Sequence, residues 1–142
     1  MLAKNPICDK YDLSSMTIIM SGAAPAGKDL CDEVERKYPG IKNLHQAYGM
    51  TELTLASHVP DLTVKQKHAS IGRIAAGLIA KIVNLNGNEL PANQKGELCV
   101  KGPTVMKGYL NRPEATAETI RDGWLHTGDI GYYDEDGDFY IV

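Results

Sequence analysis

The residues most capable of chemistry lie in one short run, Gln46-Ala47-Tyr48-Gly49-Met50-Thr51-Glu52. The run combines an aromatic ring, a flexible glycine, a hydroxyl group and a carboxylate. A hydroxyl such as that of Thr51 suits a phosphate oxygen, and a carboxylate such as that of Glu52 is the hard ligand that magnesium prefers. Alone, Tyr48 and Gly49 would be an ordinary half-buried aromatic and a turn glycine. With the threonine and glutamate beside them, they predict a nucleotide site.

A second candidate segment, Ser21-Gly22-Ala23-Ala24-Pro25, lies upstream between an apolar run and a helical pattern. Residues 22–28 match the phosphate-binding pattern GxxxxGK, but Asp29 follows where a hydroxyl is needed. A carboxylate there would repel phosphates, and Pro25 removes a backbone N–H donor. We therefore interpret the segment as a flat backbone surface against which a ring can lie. From the residues alone, an ordinary strand-to-helix turn is the simpler interpretation.

The third candidate segment is Trp124-Leu125-His126-Thr127-Gly128-Asp129. By itself, its last part could be a simple turn, because glycine and aspartate favour turns. Together the three segments resemble the adenylate-forming (AMP-binding) enzymes, the superfamily of acyl-CoA synthetases, 4-coumarate:CoA ligases and beetle luciferases. The resemblance covers nearly the whole chain and is greatest to the coumarate-ligase and luciferase branch. Ala47 departs from the commoner glycine, which could narrow the acyl pocket.

The resemblance implies roles for individual residues. The residue matching Tyr48 stacks on adenine, the one matching Thr51 binds the α-phosphate, and the one matching Glu52 reaches the metal. The aspartate matching Asp129 accepts hydrogen bonds from both ribose hydroxyls, which is sound chemistry for a carboxylate facing a diol. Thr51 and Glu52 are thus the predicted catalytic residues, and Glu52 the predicted metal ligand. The predicted nucleotide-binding positions are Ala23, Ala24, Pro25, Gln46, Ala47, Tyr48, Gly49, Met50, Thr51, Asp129 and Ile141.

The implied activity is ATP-dependent activation of a carboxylic acid. The carboxylate attacks the α-phosphate, pyrophosphate leaves, and the acyl group passes from the adenylate to coenzyme A as a thioester. ATP or AMP, Mg²⁺ and coenzyme A are the implied cofactors, and a small carboxylic acid is the partner. A luciferase-like monooxygenase remains an alternative. So does a non-catalytic module that binds a nucleotide or acyl ligand, or that only contacts other proteins.

The chain has 142 residues, whereas the enzymes that it resembles are several times longer. We therefore expect a fragment of the large N-terminal domain that is inactive by itself. The Ser/Thr/Gly-rich phosphate loop with its lysine is expected upstream of Met1. The C-terminal domain, which supplies the adenylation lysine, is expected after Val142.

Composition argues against several other classes of protein. The 15 basic and 18 acidic residues give no bulk attraction to nucleic acid, and no run of residues has the length and apolar character of a transmembrane segment. Cys8, Cys31 and Cys99 show neither a CxxC pair nor metal spacing to histidine, which favours reduced thiols. Reduced thiols fit a cytoplasmic or peroxisomal location.

Some residues that invite a catalytic or metal interpretation are better explained as structural. Glu97 has no paired carboxylate, and His126 has no visible nucleophile partner. Asp134, Asp136 and Asp138 do not fit the register of a calcium loop, so a solvated hairpin turn is favoured.

Hydrophobic patterns predict a mixed α/β fold that changes character near residue 60. Residues 1–60 read as the C-terminal part of a parallel α/β nucleotide-binding subdomain, and residues 61–142 as a small, mostly antiparallel β-barrel-like subdomain. In the first part we predict strands at 16–20 and 41–44, a helix ending before Pro39-Gly40, and the start of another helix over 52–56. In the second we predict strands at 78–85, 97–101, 124–133 and 138–142, and a helix at 113–120 that Asn111 could cap.

Overall fold

The computed structural model describes residues 2–22, 24, 26–41 and 43–142. Ten strands and two α-helices lie within these residues. The strands are β1 (Ile18–Ser21), β2 (Asn43–Gln46), β3 (Tyr48–Met50), β4 (Leu55–Val59), β5 (Ser70–Ile74), β6 (Ile79–Val83), β7 (Gly96–Lys101), β8 (Ile120–Arg121), β9 (Trp124–Tyr133) and β10 (Phe139–Ile141). The helices are α1 (Lys28–Lys37) and α2 (Pro113–Thr119), with 3₁₀ turns at Pro6–Lys10 and Thr51–Leu53.

The N-terminal part is a single strand–helix–strand unit. Strands β1 and β2 pair in parallel, and α1 connects them, as the apolar runs on either side of an amphipathic segment predicted. On α1, Val34 is buried against Ile41 and Ala3. Leu30 of the same helix stays 41% exposed, so only part of the predicted apolar stripe is covered.

The rest of the chain is organised around an eight-stranded sheet with the order β3-β4-β5-β10-β9-β7-β6, and β8 beside β9. All its strand pairs are antiparallel. Its core includes five fully buried side chains, Leu53, Ile82, Leu98, Val100 and Leu125. The predicted mixed α/β class is confirmed. Among the described strands β3 and β6 form the two ends and do not pair with each other, so the sheet is open and not a closed barrel.

Two local predictions were wrong. The helix expected to start at residue 52 is one 3₁₀ turn, because Thr54 adopts a left-handed conformation and Leu55 also has a positive φ. The chain then reverses into β4, which pairs with β3 and β5. The N-cap of α2 is Arg112, without a side-chain hydrogen bond, whereas Asn111 precedes it with φ +56°. Pro113 does occupy the first turn, as predicted.

Along the chain, a single residue, Ala47, separates the two sheets. The parallel pair ends at Gln46 and the eight-stranded sheet begins at Tyr48. A subdomain boundary at residue 60 stays a prediction, although β3 and β4 precede it and pair within the larger sheet. Neither α-helix of the described chain has the length and apolar character needed to cross a membrane.

Candidate functional site

A cavity of about 220 Å³ opens where the two sheets meet. Residues 46–49, which run from the end of β2 into β3, line one part of it. Asp129 from β9 and Ile141 from β10 line another part. The complete lining is Ala24, Gln46, Ala47, Tyr48, Gly49, Ile71, Asp129 and Ile141. All of these except Ile71 were predicted from the sequence as nucleotide-binding positions. Ala23 and Pro25, also predicted, lie outside the described residues.

Gln46 joins the cavity wall to the segment that precedes α1. Its Oε1 accepts a hydrogen bond from Ala26 N at 2.8 Å, and its Nε2 donates to Ala26 O at 3.4 Å. The backbone of Gln46 exchanges two hydrogen bonds with the side chain of Gln66. Because both ends of its amide are engaged and the residue is buried, Gln46 fixes the position of the wall.

Gly49 has a packing reason for being glycine. A Cβ atom at this position would lie 1.5 Å from the carbonyl oxygen of Leu55 and 2.7 Å from Cα of Ala56. Any side chain would therefore push β4 away from β3 and disturb the wall that carries Tyr48.

Tyr48 and Asp129 are in direct contact across the cavity. The Tyr48 hydroxyl donates a hydrogen bond to Asp129 Oδ2 at 2.5 Å. Burial and the hydrogen bond to this carboxylate raise the pKa of Tyr48, so the phenol stays protonated and keeps donating. The Tyr48 ring also packs edge-on against His58, at 5.8 Å between centroids, and His58 contacts Phe139 at 4.5 Å. Burial lowers the pKa of His58 to about 4, so this layer behind Tyr48 is uncharged at neutral pH.

Asp129 reaches the cavity because β9 bulges. Between two regular strand pairs, Glu97 with Ile130 and Cys99 with His126, β7 contributes one residue and β9 contributes three, Thr127–Asp129. A bulge of this kind bends a strand and redirects its side chains. The position of Asp129 thus depends on the register between β7 and β9.

Hydrogen bonds within the bulge fix its shape. The Thr127 hydroxyl donates to Leu98 O at 2.8 Å and accepts from Asp129 N at 3.1 Å. Gly128 has φ +76°, a left-handed conformation that glycine adopts without a steric penalty. The Thr-Gly-Asp sequence is therefore suited to this bulge.

A second cavity, of about 640 Å³, shares Ala47, Tyr48 and Gly49 with the first. Met50 and Thr51, both predicted nucleotide-binding residues, lie in this second cavity. Its remaining lining residues are Met20, Ser21, Gly22, Thr54, Leu55 and Ala56. One short strand therefore contributes to both cavities.

Glu52 lies just beyond Thr51 and is held by the loop between β7 and α2. Its Oε1 accepts a hydrogen bond from the Tyr109 hydroxyl at 2.6 Å, and its carbonyl oxygen accepts from Met106 N at 2.8 Å. No role in the site was predicted for Tyr109 from the sequence. The structure places its hydroxyl on the predicted metal ligand, whose Oε2 could still hold a cation.

Glu97, Cys99 and His126 bring one potential ligand atom each within 4.8 Å of the others. The spacing of cysteine and histidine in the sequence did not indicate this, because pairing of β7 with β9 creates it. His126 Nδ1 lies 2.7 Å from Glu97 Oε2 and 3.3 Å from Cys99 Sγ. Burial and the Glu97 carboxylate raise the pKa of Cys99 to about 11, which disfavours the thiolate that binds metals. We interpret the cluster as a hydrogen-bonded network.

The ammonium group of Lys67, from the loop between β4 and β5, lies against the acidic turn between β9 and β10, where a cation would bind. Lys67 Nζ lies 2.7 Å from Asp134, 2.6 Å from Asp136 and 3.3 Å from Asp138. Asp134 Oδ1 also accepts from the backbone N–H groups of Asp136 and Asp138. The turn joins the paired strands β9 and β10, as the predicted hairpin requires, but the Asp134 and Asp138 side chains are only 19% and 13% exposed, so of the three carboxylates only that of Asp136 is solvated.

Comparison with known proteins gives one family match. The model of the family described as AMP-binding enzyme matches residues 1–110. Among curated proteins, 4-coumarate–CoA ligase 2 of Nicotiana tabacum is 49% identical over 99% of this chain. The match covers 27% of the tobacco protein, so the chain spans about a quarter of the length of this relative.

Solved structures agree with this match. The luciferase-like enzyme from the nonluminescent mealworm Zophobas morio aligns with a TM-score of 0.83 and 34% identity, over 99% of this chain and 35% of that one. A long-chain-fatty-acid–CoA ligase from Archaeoglobus fulgidus aligns with a TM-score of 0.84 and 26% identity, over 93% of this chain and 29% of that one.

Proposed function

The chain belongs to the AMP-binding enzyme family, and on that basis we propose that it forms the nucleoside-binding half of an AMP-forming acid–thiol ligase. The observation that supports the proposal best is the cavity of about 220 Å³, because seven positions from distant parts of the chain, predicted from motifs alone, line it together. The relatives named above are ligases and a luciferase-like enzyme, which fits this class of chemistry.

In the proposed site, the ring of Tyr48 stacks on adenine and the carboxylate of Asp129 accepts the ribose hydroxyls. Asp129 is suited to this role because it is an acceptor with two oxygens facing a cavity of limited volume. One of these oxygens already accepts from Tyr48. A ribose diol must therefore share or replace that hydrogen bond.

Thr51 and Glu52 are the proposed catalytic residues at the phosphate end. Thr51 is exposed in the second cavity and offers a hydroxyl to the α-phosphate. Glu52 would hold Mg²⁺ through its carboxylate, while Tyr109 keeps that carboxylate in place. Bound magnesium would offset the negative charge that builds up at the phosphate during displacement. The protein contributes position and hydrogen-bond donors to this step.

The second cavity is the proposed site of the carboxylic acid, since Tyr48 and Ala47 border both cavities. ATP, the carboxylic acid and coenzyme A are then the substrates of the whole protein. The cysteines Cys8, Cys31 and Cys99 are free thiols, which supports a cytoplasmic or peroxisomal location as part of the proposal.

The isolated chain is proposed to bind nucleotide without forming acyl-adenylate. Among the described residues that line the two cavities there is no lysine or arginine to neutralise the triphosphate. Adenylate formation needs positively charged side chains that offset the negative charge of the leaving pyrophosphate. Mass-spectrometric detection of acyl-adenylate made by these 142 residues from ATP and a panel of carboxylic acids would contradict this part of the proposal.

Calorimetric titration with AMP and ATP tests the nucleoside site. Asp129→Ala should weaken AMP binding by roughly tenfold, because a hydrogen-bonded carboxylate is lost. Asp136→Ala is the matched control, since Asp136 is an exposed aspartate in the β9–β10 turn and outside both cavities. Equal binding by Asp129→Ala and the control would contradict the site. The absence of any heat with the unmodified chain would favour a non-catalytic scaffold.

A further inference from the structure

Glu97 contacts the bulge of β9 on both sides of Thr127. Its Oε1 accepts a hydrogen bond from Gly128 N at 3.2 Å, and its Oε2 lies 2.7 Å from His126 Nδ1. We propose that Glu97 is a positioning residue that holds the bulge in the shape that directs Asp129 into the nucleoside cavity. The inference rests on the proposed function, because Asp129 is the proposed ribose acceptor.

The bulge needs such an acceptor because it interrupts the ladder of backbone hydrogen bonds. Residues inserted into a bulge are left without a partner on the opposite strand. The Gly128 N–H group points at Glu97 instead. A side-chain carboxylate thus supplies the acceptor that a regular strand would provide through its backbone.

The link from Glu97 to Asp129 is short. Gly128 directly precedes Asp129, whose own N–H donates to the Thr127 hydroxyl. The two peptide groups on either side of Gly128 are therefore each held by a side chain, the first by Glu97 through Gly128 N and the second by Thr127 through Asp129 N. Without Glu97, the Thr127 contact to Leu98 O remains, so the bulge should loosen but still form.

Glu97 acts from outside the nucleoside cavity. It does not line that cavity but borders a separate opening of about 350 Å³, together with His126 and Arg121. Arg121 Nη2 lies 3.7 Å from Glu97 Oε2 and offsets part of its charge. An acid, base or metal role for Glu97 would require contact with the reacting groups, whereas holding the bulge requires only the contacts seen.

Two variants of the chain separate this role from general stability. Glu97→Ala removes both contacts. Glu97→Gln keeps an oxygen that can accept from Gly128 N and an NH₂ that can donate to neutral His126. Glu118→Ala, an exposed glutamate of α2, is the matched control. We would measure the Kd for AMP by calorimetry and amide hydrogen exchange by NMR without ligand, with the Ala75 amide, which donates to Ser57 O at 2.8 Å, as the internal reference.

Glu97→Ala should weaken AMP binding by about fivefold and speed exchange at Gly128 and Asp129 by a similar factor relative to Ala75, the equivalent of one ordinary hydrogen bond. Glu97→Gln should stay within about twofold of the unmodified chain in both measurements. Unchanged exchange at Gly128 and Asp129 in Glu97→Ala, or a loss that Glu97→Gln does not restore, would overturn the proposal. If the unmodified chain binds no AMP, the proposed function fails, and the exchange measurement still decides whether Glu97 holds the bulge.

Discussion

The eight-stranded sheet and the N-terminal strand–helix–strand unit differ in how completely they bury their apolar residues. The sheet has five side chains with no exposed surface in its core. The N-terminal unit has a small cluster around Val34 and Ile41, while Ile18 and Met20 of β1 are 44% and 55% exposed. The sheet therefore gains more stabilisation from its own apolar burial than the N-terminal unit does.

The candidate site combines the two regions. Asp129, Ile71 and Ile141 come from the well-packed sheet, and Ala24 and Gln46 from the weaker unit. The carboxylate is thus held by strands of the sheet, whereas the part of the lining formed by Ala24 and Gln46 depends on a region with fewer buried apolar residues. Experiments that distinguish the two regions also test how the site is built.

The largest effect should come from truncating the core of the sheet. Ile82→Ala should lower the free energy of unfolding by about 4 kcal/mol, because Ile82 is fully buried among well-packed neighbours. Ile41→Ala, the matched change in the N-terminal cluster, should cost about half as much, since its surroundings can relax. Denaturant unfolding followed by Trp124 fluorescence and far-UV circular dichroism measures both. Equal losses of unfolding free energy in the two variants would contradict the difference in packing between the two regions.

A smaller but still large effect is expected where the regions join. Gly49→Ala should cost about 3 kcal/mol, because its Cβ would overlap the carbonyl of Leu55. Gly22→Ala in the N-terminal unit is the matched control, since the nearest atom to its added Cβ is Ala47 O at 3.7 Å. Thermal unfolding of the two variants gives the comparison. A Gly49→Ala protein as stable as Gly22→Ala would show that β3 and β4 are not packed closely.

Acid should destabilise the sheet through His58. Burial lowers the pKa of His58 from 6.5 to about 4, so the unfolded chain binds a proton that the folded chain does not. Stability should therefore fall by about 2 kcal/mol between pH 7 and pH 5 from this residue, and level off below pH 4. Denaturant unfolding across this pH range measures the loss.

His58→Gln should remove this part of the pH dependence. His45 of β2 is also buried, and burial lowers its pKa in the same direction, so His45→Gln is the corresponding variant in the N-terminal unit. If His58→Gln showed the same pH dependence as the unmodified chain, the folded protein would not keep His58 neutral.

The smallest effect should come from surface ion pairs, which differ little between the regions. Lys67→Ala removes the contacts to the β9–β10 turn, and Lys28→Ala removes the pair with Asp32 on α1. Each should cost under about 1 kcal/mol and lose most of its effect in 1 M salt, because the Lys28 and Lys67 side chains are 66% and 42% exposed and their charges are screened. Unfolding at low and high salt is the measurement. If Lys67→Ala alone lowered the free energy of unfolding by well over about 1 kcal/mol, the acidic turn would depend on the Lys67 ammonium group to fold.

Local patterns predicted much of the fold. The helix α1 and the parallel strands on both sides of it follow from apolar periodicity and from Pro39-Gly40, and β9 was predicted over its full length. The helix expected at residue 52 failed because pairing of β4 with β5, which is non-local, overrides the helical preference of a short segment. Family resemblance found seven of the eight cavity residues, because six of them lie in the three motif segments and the seventh, Ile141, matches an apolar position near the same nucleotide.

Contacts that depend on strand register could not be predicted from the sequence. Glu97 and Gly128 are brought together only because β9 bulges opposite Leu98, and no alternation of side chains marks a bulge of this size. Cys99 and His126 meet because they are directly opposite each other in the β7–β9 pair, which the sequence does not reveal either. Tyr109 and Glu52 are in contact although they are far apart in sequence, and the residues around either of them give no indication of this contact.

The bulge has a consequence for how such a site can arise or be lost. Three residues of β9 face one residue of β7, so the insertion adds two residues, an even number. Side chains alternate with a period of two, and an even insertion keeps inward-facing positions inward on both sides, as the burial of both Leu125 and Gly131 reflects. Deleting Gly128 and Asp129 as a pair should therefore preserve the core while abolishing the acceptor, whereas deleting one of them would leave two residues opposite Leu98, which the strand must accommodate by a local bend and a stronger twist.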